Sequence, residues 1–475
     1  MTTSKIPLCV DLDGTLIQTD LLLESALKLL YKNPLNLFRF VLWASKGKAH
    51  IKRQIAKRIH IDAACLPYNI EFLDWMRKTS KDRDLVLCTA SDQSLADAVA
   101  AHVGGFQLTL GSDGIHNLSG INKGLALRER FGVRGFDYAG NGRKDLAVWQ
   151  YARRAILVNG SKRLMAAAAG VCEVERVFEI KRPAFKQWAR TLRLHQWIKN
   201  TLVFLPLLAG HHLFDLHDDL LALGGFLSFS LLASATYVFN DLLDLDSDRR
   251  HPRKRYRPLA AGTLPLSRGL SIAPLLAFLA FYLAFLISGV FTLVLLTYLV
   301  LTLGYSFRLK RIVMLDVVIL AGLYTTRIIA GTVAIQVELS FWLLAFSMFI
   351  FFSLAMLKRY TELLVTQSGI PDQSSLRNRG YGVQDLPLVQ SLGSTAGYLS
   401  VLVLALYINS EASKALYRHP QVLWLLCPLL LYWISRIWIV ARRGKMHDDP
   451  VIYAVTDRIS LLVLFIGASI VILAI

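Results

Sequence analysis

Two carboxylate clusters carry the densest chemistry in this chain. The first is Leu8-Cys9-Val10-Asp11-Leu12-Asp13-Gly14-Thr15, an apolar strand ending in Asp-x-Asp. Residues i and i+2 of a strand face the same way. Asp11 and Asp13 therefore converge at its carboxyl end, the edge where α/β sheets bind ligands. The second is Asn240-Asp241-Leu-Leu-Asp244-Leu-Asp246-Ser-Asp248, followed by a basic run from Arg249 to Arg257 and by Pro258-Leu-Ala-Ala-Gly262. On one continuous helix Asp241, Asp244 and Asp248 lie within about 60° of one another, and Asp246 roughly 140° from Asp241. Three carboxylates on one face repel unless a cation joins them. Hard oxygen ligands suit Mg²⁺, which keeps several waters and shares itself with substrate phosphates. A solvated acidic helix end is the plainer alternative, and the adjoining Arg/Lys run favours an anionic ligand over it.

The elements that must hold these groups divide the chain in two. Pro7–Val10, Leu85–Thr89, Tyr138–Gly140 and Ala155–Val158 are short β-rich runs, with helical patterns such as Leu21–Tyr31 and Gln93–His102 between them. Strands alternating with helices predict a parallel sheet with crossover helices over residues 1–180. Residues 181–199 are basic and read as an interfacial linker. About twenty apolar residues span a bilayer. Nine candidate spans follow over 200–475, near 200–213, 220–242, 269–289, 290–306, 312–334, 340–357, 388–408, 421–440 and 457–475.

The 475 residues are 54% hydrophobic and 18% charged, yet the net charge is +19, so the address of that charge matters. Residues 1–180 hold 25 Lys and Arg against 18 Asp and Glu, and residues 181–475 hold 28 against 16. The more apolar part is the more basic one, which argues against a nucleic-acid surface. With residues 1–199 in the cytoplasm, 24 of those 28 basic residues fall on the cytoplasmic side. Lys414 and Arg418 lie opposite, and Arg327 and Arg436 within spans. The positive-inside rule then predicts a multi-pass protein of the inner (cytoplasmic) membrane with its C-terminus on the far side. A charge at mid-bilayer costs about 2.5–3.5 kcal/mol on insertion scales, so Arg327 is expected to face a pocket or to pair, with Asp316 as the candidate partner. The five cysteines form no CxxC pair and read as reduced thiols.

The segment NDxxDxxxD with RPLAxG behind it resembles the first Asp-rich motif of the UbiA-type intramembrane prenyltransferases, over about residues 190–475. That resemblance implies nine transmembrane helices around a cavity open to the cytoplasmic side. It also implies Mg²⁺ on a diphosphate held by Asp241, Asp244 and Asp248, with Asn240 in support. The family's aromatic-ring prenyltransferases carry a second, DxxxD-like motif after the sixth span. Here the region reads Lys358-Arg359-Tyr360-Thr361-Glu362, then Arg377-Asn378-Arg379-Gly380-Tyr381, without that spacing. The departure resembles a different branch, the decaprenyl-phosphate phosphoribosyltransferases. So do His195-Gln-Trp-Ile-Lys199-Asn200, Tyr305-Ser-Phe-Arg-Leu-Lys310-Arg311 and Asp448-Asp449-Pro-Val-Ile-Tyr with Asp457-Arg458. The branch reaction joins phosphoribosyl diphosphate to a polyprenyl phosphate and releases diphosphate. An acceptor that is already anionic needs no strong base, and what such a site needs is cations. The resemblance implies substrate-binding roles for Lys199, Asn240, Tyr305, Lys310, Arg327, Lys358, Arg359, Glu362, Arg377, Tyr381 and Asp449.

The strand ending in Asp11-Leu-Asp13-Gly14-Thr15 resembles motif I of the haloacid dehalogenase-like (HAD) superfamily, over about residues 5–170. The expected fold class is thus a Rossmannoid α/β domain with a helical cap near 20–75, joined to an all-α membrane domain. The resemblance implies that Asp11 is a nucleophile, Asp13 the acid and base, Thr89 a phosphate ligand and Lys123 the basic partner. Mg²⁺ would rest on Asp11, Asp13 and Asp145. Gly140-Asn141 stands where the family usually has Gly-Asp. A regulatory domain without hydrolysis is therefore the alternative to a phosphatase acting on the 5-phosphate of the transfer product. The expected partners are the bilayer, a polyprenyl lipid and an anionic phosphorylated substrate, with homo-oligomers left open and nucleic acid excluded. Two further readings remain: prenyl transfer to an aromatic acceptor such as 4-hydroxybenzoate, and a transporter or receptor with a non-catalytic N-terminal domain.

Overall fold

The computed structural model describes residues 5–179, 185–367, 380–446 and 449–475. Arg377, expected to bind substrate, lies outside them, as do Asp372, Asn378, Arg379 and Asp448. The chain forms two compact units, Met1–Thr191 with Val238–Ile272, and Leu192–Tyr237 with Ala273–Ile475.

The first unit is built on a six-stranded sheet of β1 (Leu8–Val10), β2 (Leu85–Asp92), β3 (Phe106–Ser112), β4 (Asp137–Gly140), β5 (Arg154–Val158) and β6 (Glu173–Phe178). Every pairing is parallel, in the order β3-β2-β1-β4-β5-β6. Leu8, Cys9 and Val10 are wholly buried, as central parallel strands covered on both faces must be. The four expected strands are present. The two missed are the edge strands, and β6 (Glu-Val-Glu-Arg-Val-Phe) is charged enough to read as a solvated loop. The strand order reverses between β1 and β4, so their carboxyl ends flank a crevice. Three helices bear on it: α1 (Leu21–Lys32), α2 (Lys48–Ala56) and α3 (Ile121–Phe131). Asp20 caps α1 by accepting from the Leu23 amide at 2.9 Å.

The helices that follow are α4 (Leu216–Leu243), α5 (Leu245–Arg250), α6 (Leu266–Ile287), α7 (Gly289–Phe307), α8 (Leu315–Ala334) and α9 (Phe341–Gln367). After them come α10 (Leu386–Ile408), α11 (Leu426–Arg442), α12 (Pro450–Thr456) and α13 (Arg458–Ala474). Among the described residues seven helical segments are long and apolar enough to cross a membrane, or eight if α12 and α13, bent by 76°, make one span. Nine were expected. The missing one is 200–213, where a 3₁₀ stretch, Leu194–Phe204, runs into the five-residue helix Leu205–Ala209. Pro206, at the start of that helix, lacks the amide that a continuous α-helix would use there. The paired segments nevertheless pack along α8. On α6 and α7 the side chains of Leu275, Phe278, Phe285, Leu293 and Val300 are all exposed, an apolar surface that suits lipid rather than water. The α8–α11 core of the second unit packs Val317, Ala321, Ile328, Met356, Leu357 and Ile434.

Candidate functional sites

In the first unit Asp11 and Asp13 open onto a cavity of about 860 Å³ at the β1/β4 crevice. Its lining includes Lys48 and Lys52 of α2, Ser91, Lys123 of α3, and Asn141 to Asp145. Lys123 donates to Asp11 Oδ1 at 2.7 Å and to the Tyr138 hydroxyl at 2.8 Å. Burial opposes the Lys123 charge, but Asp11, Cys88 and Asp145 outweigh it and hold its pKa above the ordinary lysine range. Burial raises the pKa of Asp11, with Lys123 opposing. Asp13 has its pKa pushed up to about 7, by burial first and then by the neighbouring Asp20 carboxylate. It accepts from the Leu21 amide at 2.9 Å and from Ser91 Oγ at 2.7 Å. The two adjacent carboxylates thus differ in environment: a lysine clamps Asp11, while an amide and a hydroxyl meet Asp13.

Two expected residues are placed differently. Thr89 is wholly buried and outside the cavity lining, its hydroxyl accepting from the Ser91 amide at 3.0 Å. Ser91, two residues on and facing the same way, points at Asp13 instead. Asp145 accepts from the Asn141 and Gly142 amides at 2.9 and 2.8 Å and from Tyr138 at 3.1 Å, so both its oxygens fix the turn. Sequence reasoning missed Lys48, Lys52 and Ser91. Lys52 donates to Asn117 Oδ1 at 2.7 Å, and burial lowers its pKa.

The Asp-rich segment also belongs to the first unit. Its expected single helical face does not form, because α4 ends at Leu243 and α5 restarts at Leu245, with Asp244 between them at φ −96° and ψ 14°. Asp241 and Asp248 converge, and Arg257 of the RPLAxG segment joins them, one guanidinium nitrogen lying 3.0 Å from Asp241 Oδ1 and 2.7 Å from Asp248 Oδ2. Asp244 is half-buried and outside this ion pair. Burial raises the Asp248 pKa, with Arg257 opposing. Among the described residues no three acidic, His or Cys side chains are grouped as metal ligands. The donor set still fits Mg²⁺ in kind: hard carboxylate oxygens, two of which already share one positive group.

The second unit gathers most of the remaining expected residues into paired networks. Lys199 is ion-paired with Asp449, and Lys358 is within electrostatic reach of both. Arg327 does not pair with Asp316. It donates to Asn200 Oδ1 at 2.8 Å and to the Tyr298 hydroxyl at 3.2 Å, and also to the Leu323 carbonyl. Asp316 belongs to Arg359, at 2.6 Å, and to the Tyr381 hydroxyl, at 2.7 Å. Arg359 also donates to Glu362 at 2.5 Å and to the Tyr305 hydroxyl at 3.0 Å. The expected substrate ligands Tyr305 and Glu362 are therefore bound to Arg359, and Arg359 and Tyr381 to the one buried Asp316 carboxylate. Arg359 is wholly buried, and a buried charge persists only when paired this fully. Lys310 sits apart in the turn Leu309–Arg311, and Asn240 is half-buried near the end of α4. Arg436 of α11 holds Asp457 through two bonds of 2.7 and 3.0 Å.

Arg359→Met alone should destabilise the protein by about 3–5 kcal/mol, by leaving Asp316 charged and unpaired. Adding Asp316→Leu should recover most of that loss. Denaturation midpoints in detergent compare the two, and equal losses in the single and double variants would count against a structural pair.

The UbiA prenyltransferase family profile matches residues 201–471. An uncharacterized protein, y4nM, of Sinorhizobium fredii is 38% identical over 98% of this chain and 90% of its own length, so the likeness takes in the N-terminal sheet. The decaprenyl-phosphate phosphoribosyltransferase of Mycobacterium tuberculosis is 35% identical over 44% of this chain and 70% of its own. Among solved structures, a UbiA homolog from Archaeoglobus fulgidus bound to GPP and Mg²⁺ aligns at 17% identity and TM-score 0.44, over 60% of this chain and 99% of that one. The chain is a member of the UbiA prenyltransferase family.

Proposed function

We propose that this UbiA-family transferase moves a phosphoribosyl group from phosphoribosyl diphosphate to a polyprenyl phosphate. The observation that carries the reading is the Asp241/Asp248 pair converging on one cation beside a basic segment. Asp241 and Asp248 would hold Mg²⁺, with Asp244 and Asn240 completing the set. Mg²⁺ there would neutralise the charge that develops on departing diphosphate as the anomeric C–O bond breaks. Lys199, Lys310, Lys358 and Arg377 recognise the phosphate groups of donor and acceptor. An aromatic acceptor would not call for so many cations. The likeness to a decaprenyl-phosphate phosphoribosyltransferase supports the same choice. Prenyl transfer to an aromatic acid is the second reading, favoured by the family's name.

In this proposal the N-terminal domain is a HAD-like phosphatase that removes the 5-phosphate of the transfer product. Asp11 attacks phosphorus and the P–O bond to the sugar breaks, while Asp13 gives its proton to the departing alkoxide. Water then opens the aspartyl-phosphate, returning a proton to Asp13. Asp11 and Asp13 would hold Mg²⁺ in this cavity, with Asp145 ordering the Asn141 turn. Lys48 and Lys52 extend the positive lining for an anionic substrate.

The N-terminal domain and the basic loops are proposed to share the cytoplasmic side of the inner membrane. The sixteen residues Leu194–Ala209 support this. At about 2 Å per residue in 3₁₀ and 1.5 Å in α-helix they rise on the order of 30 Å, a bilayer core's thickness. On this reading they would make the further crossing that nine spans require, without being a long α-helix.

Membranes containing the protein should transfer label from phosphoribosyl diphosphate into lipid when polyprenyl phosphate is added. Prenyl diphosphate with 4-hydroxybenzoate should give no labelled product. Asp241→Ala or Asp248→Ala should lower transfer at least a hundredfold at unchanged membrane insertion. Label entering only the aromatic product, or full activity in both variants, would overturn the assignment.

A further inference from the structure

The first unit binds the Asp-rich segment to the N-terminal domain through one buried ion pair. Arg249 follows Asp248 on α5. Its guanidinium lies 2.6 Å from Glu24 Oε1 and 2.9 Å from Glu24 Oε2, and its Nε donates to the Ala260 carbonyl at 2.9 Å. Glu24, on α1, is only 3% exposed and also accepts from Thr19 Oγ1 at 3.0 Å. The arginine side chain is 5% exposed. A forked pair so fully removed from water fixes both partners in one geometry, since displacing either leaves a buried charge unmet.

Three further contacts lie around it. Lys28, one turn along α1, pairs with Asp246, and Arg250 meets Asp62 at 2.9 Å. Gly262 has a φ of +71°, and a Cβ there would stand 2.7 Å from the Gln18 carbonyl oxygen, so glycine permits the close approach. Asp246, Arg249, Arg250 and Gly262 of the Asp-rich stretch thus all face residues between 18 and 62. They bracket Asp248 and Arg257 in sequence.

We propose that Glu24 is a positioning residue for the transferase: through Arg249 it sets the backbone of Asp248, and so the affinity of the Asp241/Asp248 pair for a divalent cation. This rests on the metal role proposed for that pair. Glu24 itself touches neither carboxylate. An outer-shell partner bonded directly to a ligand is worth about 10–100-fold in metal affinity, and Glu24, acting one residue further out, is expected at the tenfold end.

The test measures Mn²⁺ binding by electron paramagnetic resonance, with inorganic diphosphate present, on the full chain in detergent. An Asp11→Asn background weakens the other carboxylate site. Glu24→Gln keeps the shape and removes the charge, and it should raise the Mn²⁺ dissociation constant about tenfold or more. The exchange Glu24→Arg with Arg249→Glu should restore part of the loss, and Thr19→Val, a milder change, should shift it slightly in the same direction. A merely structural pair would lower the unfolding midpoint without moving Mn²⁺ affinity. Unchanged affinity in folded Glu24→Gln, or in Thr19→Val should Glu24→Gln fail to fold, overturns the proposal. Asp241→Asn is the control: if it leaves Mn²⁺ binding intact, the metal role of the pair falls, and this inference with it.

Discussion

The Arg257 guanidinium between Asp241 and Asp248 shows the constraint that shapes the rest of this chain. A carboxylate withdrawn from water must meet a cation or lose its charge. Lys123 answers Asp11, Arg249 answers Glu24, Arg359 answers Asp316, and Lys199 answers Asp449. Asp13 is met by hydrogen-bond donors rather than a cation, and its pKa rises to about 7. Where the cation is a rigid, wholly buried arginine, as in Arg359, the pair is a fixture of the core. Where it is a part-exposed group facing two carboxylates, as in Arg257, the same attraction suits exchange for a metal bound to substrate.

Much of the fold was legible from the sequence because its signals are strong and local. Buried parallel strands are continuous apolar runs, and membrane helices are long ones. The edge strands β3 and β6 were not legible: a strand with one covered neighbour keeps polar residues that resemble a loop. Composition makes 200–213 read as a span and 181–199 as a linker before it. Composition cannot report that the backbone winds as 3₁₀ from Leu194 to Phe204.

The candidate sites were legible in residue type and less so in geometry. Asp11 and Asp13 come together as their spacing on a strand implies, and Lys123 joins them as the family resemblance implies. Asp241, Asp244 and Asp248 do not share a face, because one break at Asp244 undoes the 100° arithmetic. Tyr305, Arg359, Glu362 and Tyr381 are expected to face substrate, but the buried Asp316 takes Arg359 and Tyr381, and Arg359 in turn takes Tyr305 and Glu362. The signal of Asp316 is present: an aspartate within an apolar span needs a partner, and Arg327 of the same helix is not the one that packs there. The Glu24–Arg249 pair, 225 residues apart, had no local signature at all.

Both proposed activities meet in one molecule, the lipid product. Mass spectrometry of lipid extracted after the full chain acts on phosphoribosyl diphosphate and polyprenyl phosphate tests the account most directly. The wild type should yield polyprenyl phosphoribose, and the Asp11→Asn variant the same lipid one phosphoryl group heavier. A prenylated aromatic product from the alternative substrates alone, or one identical mass from both proteins, would contradict it.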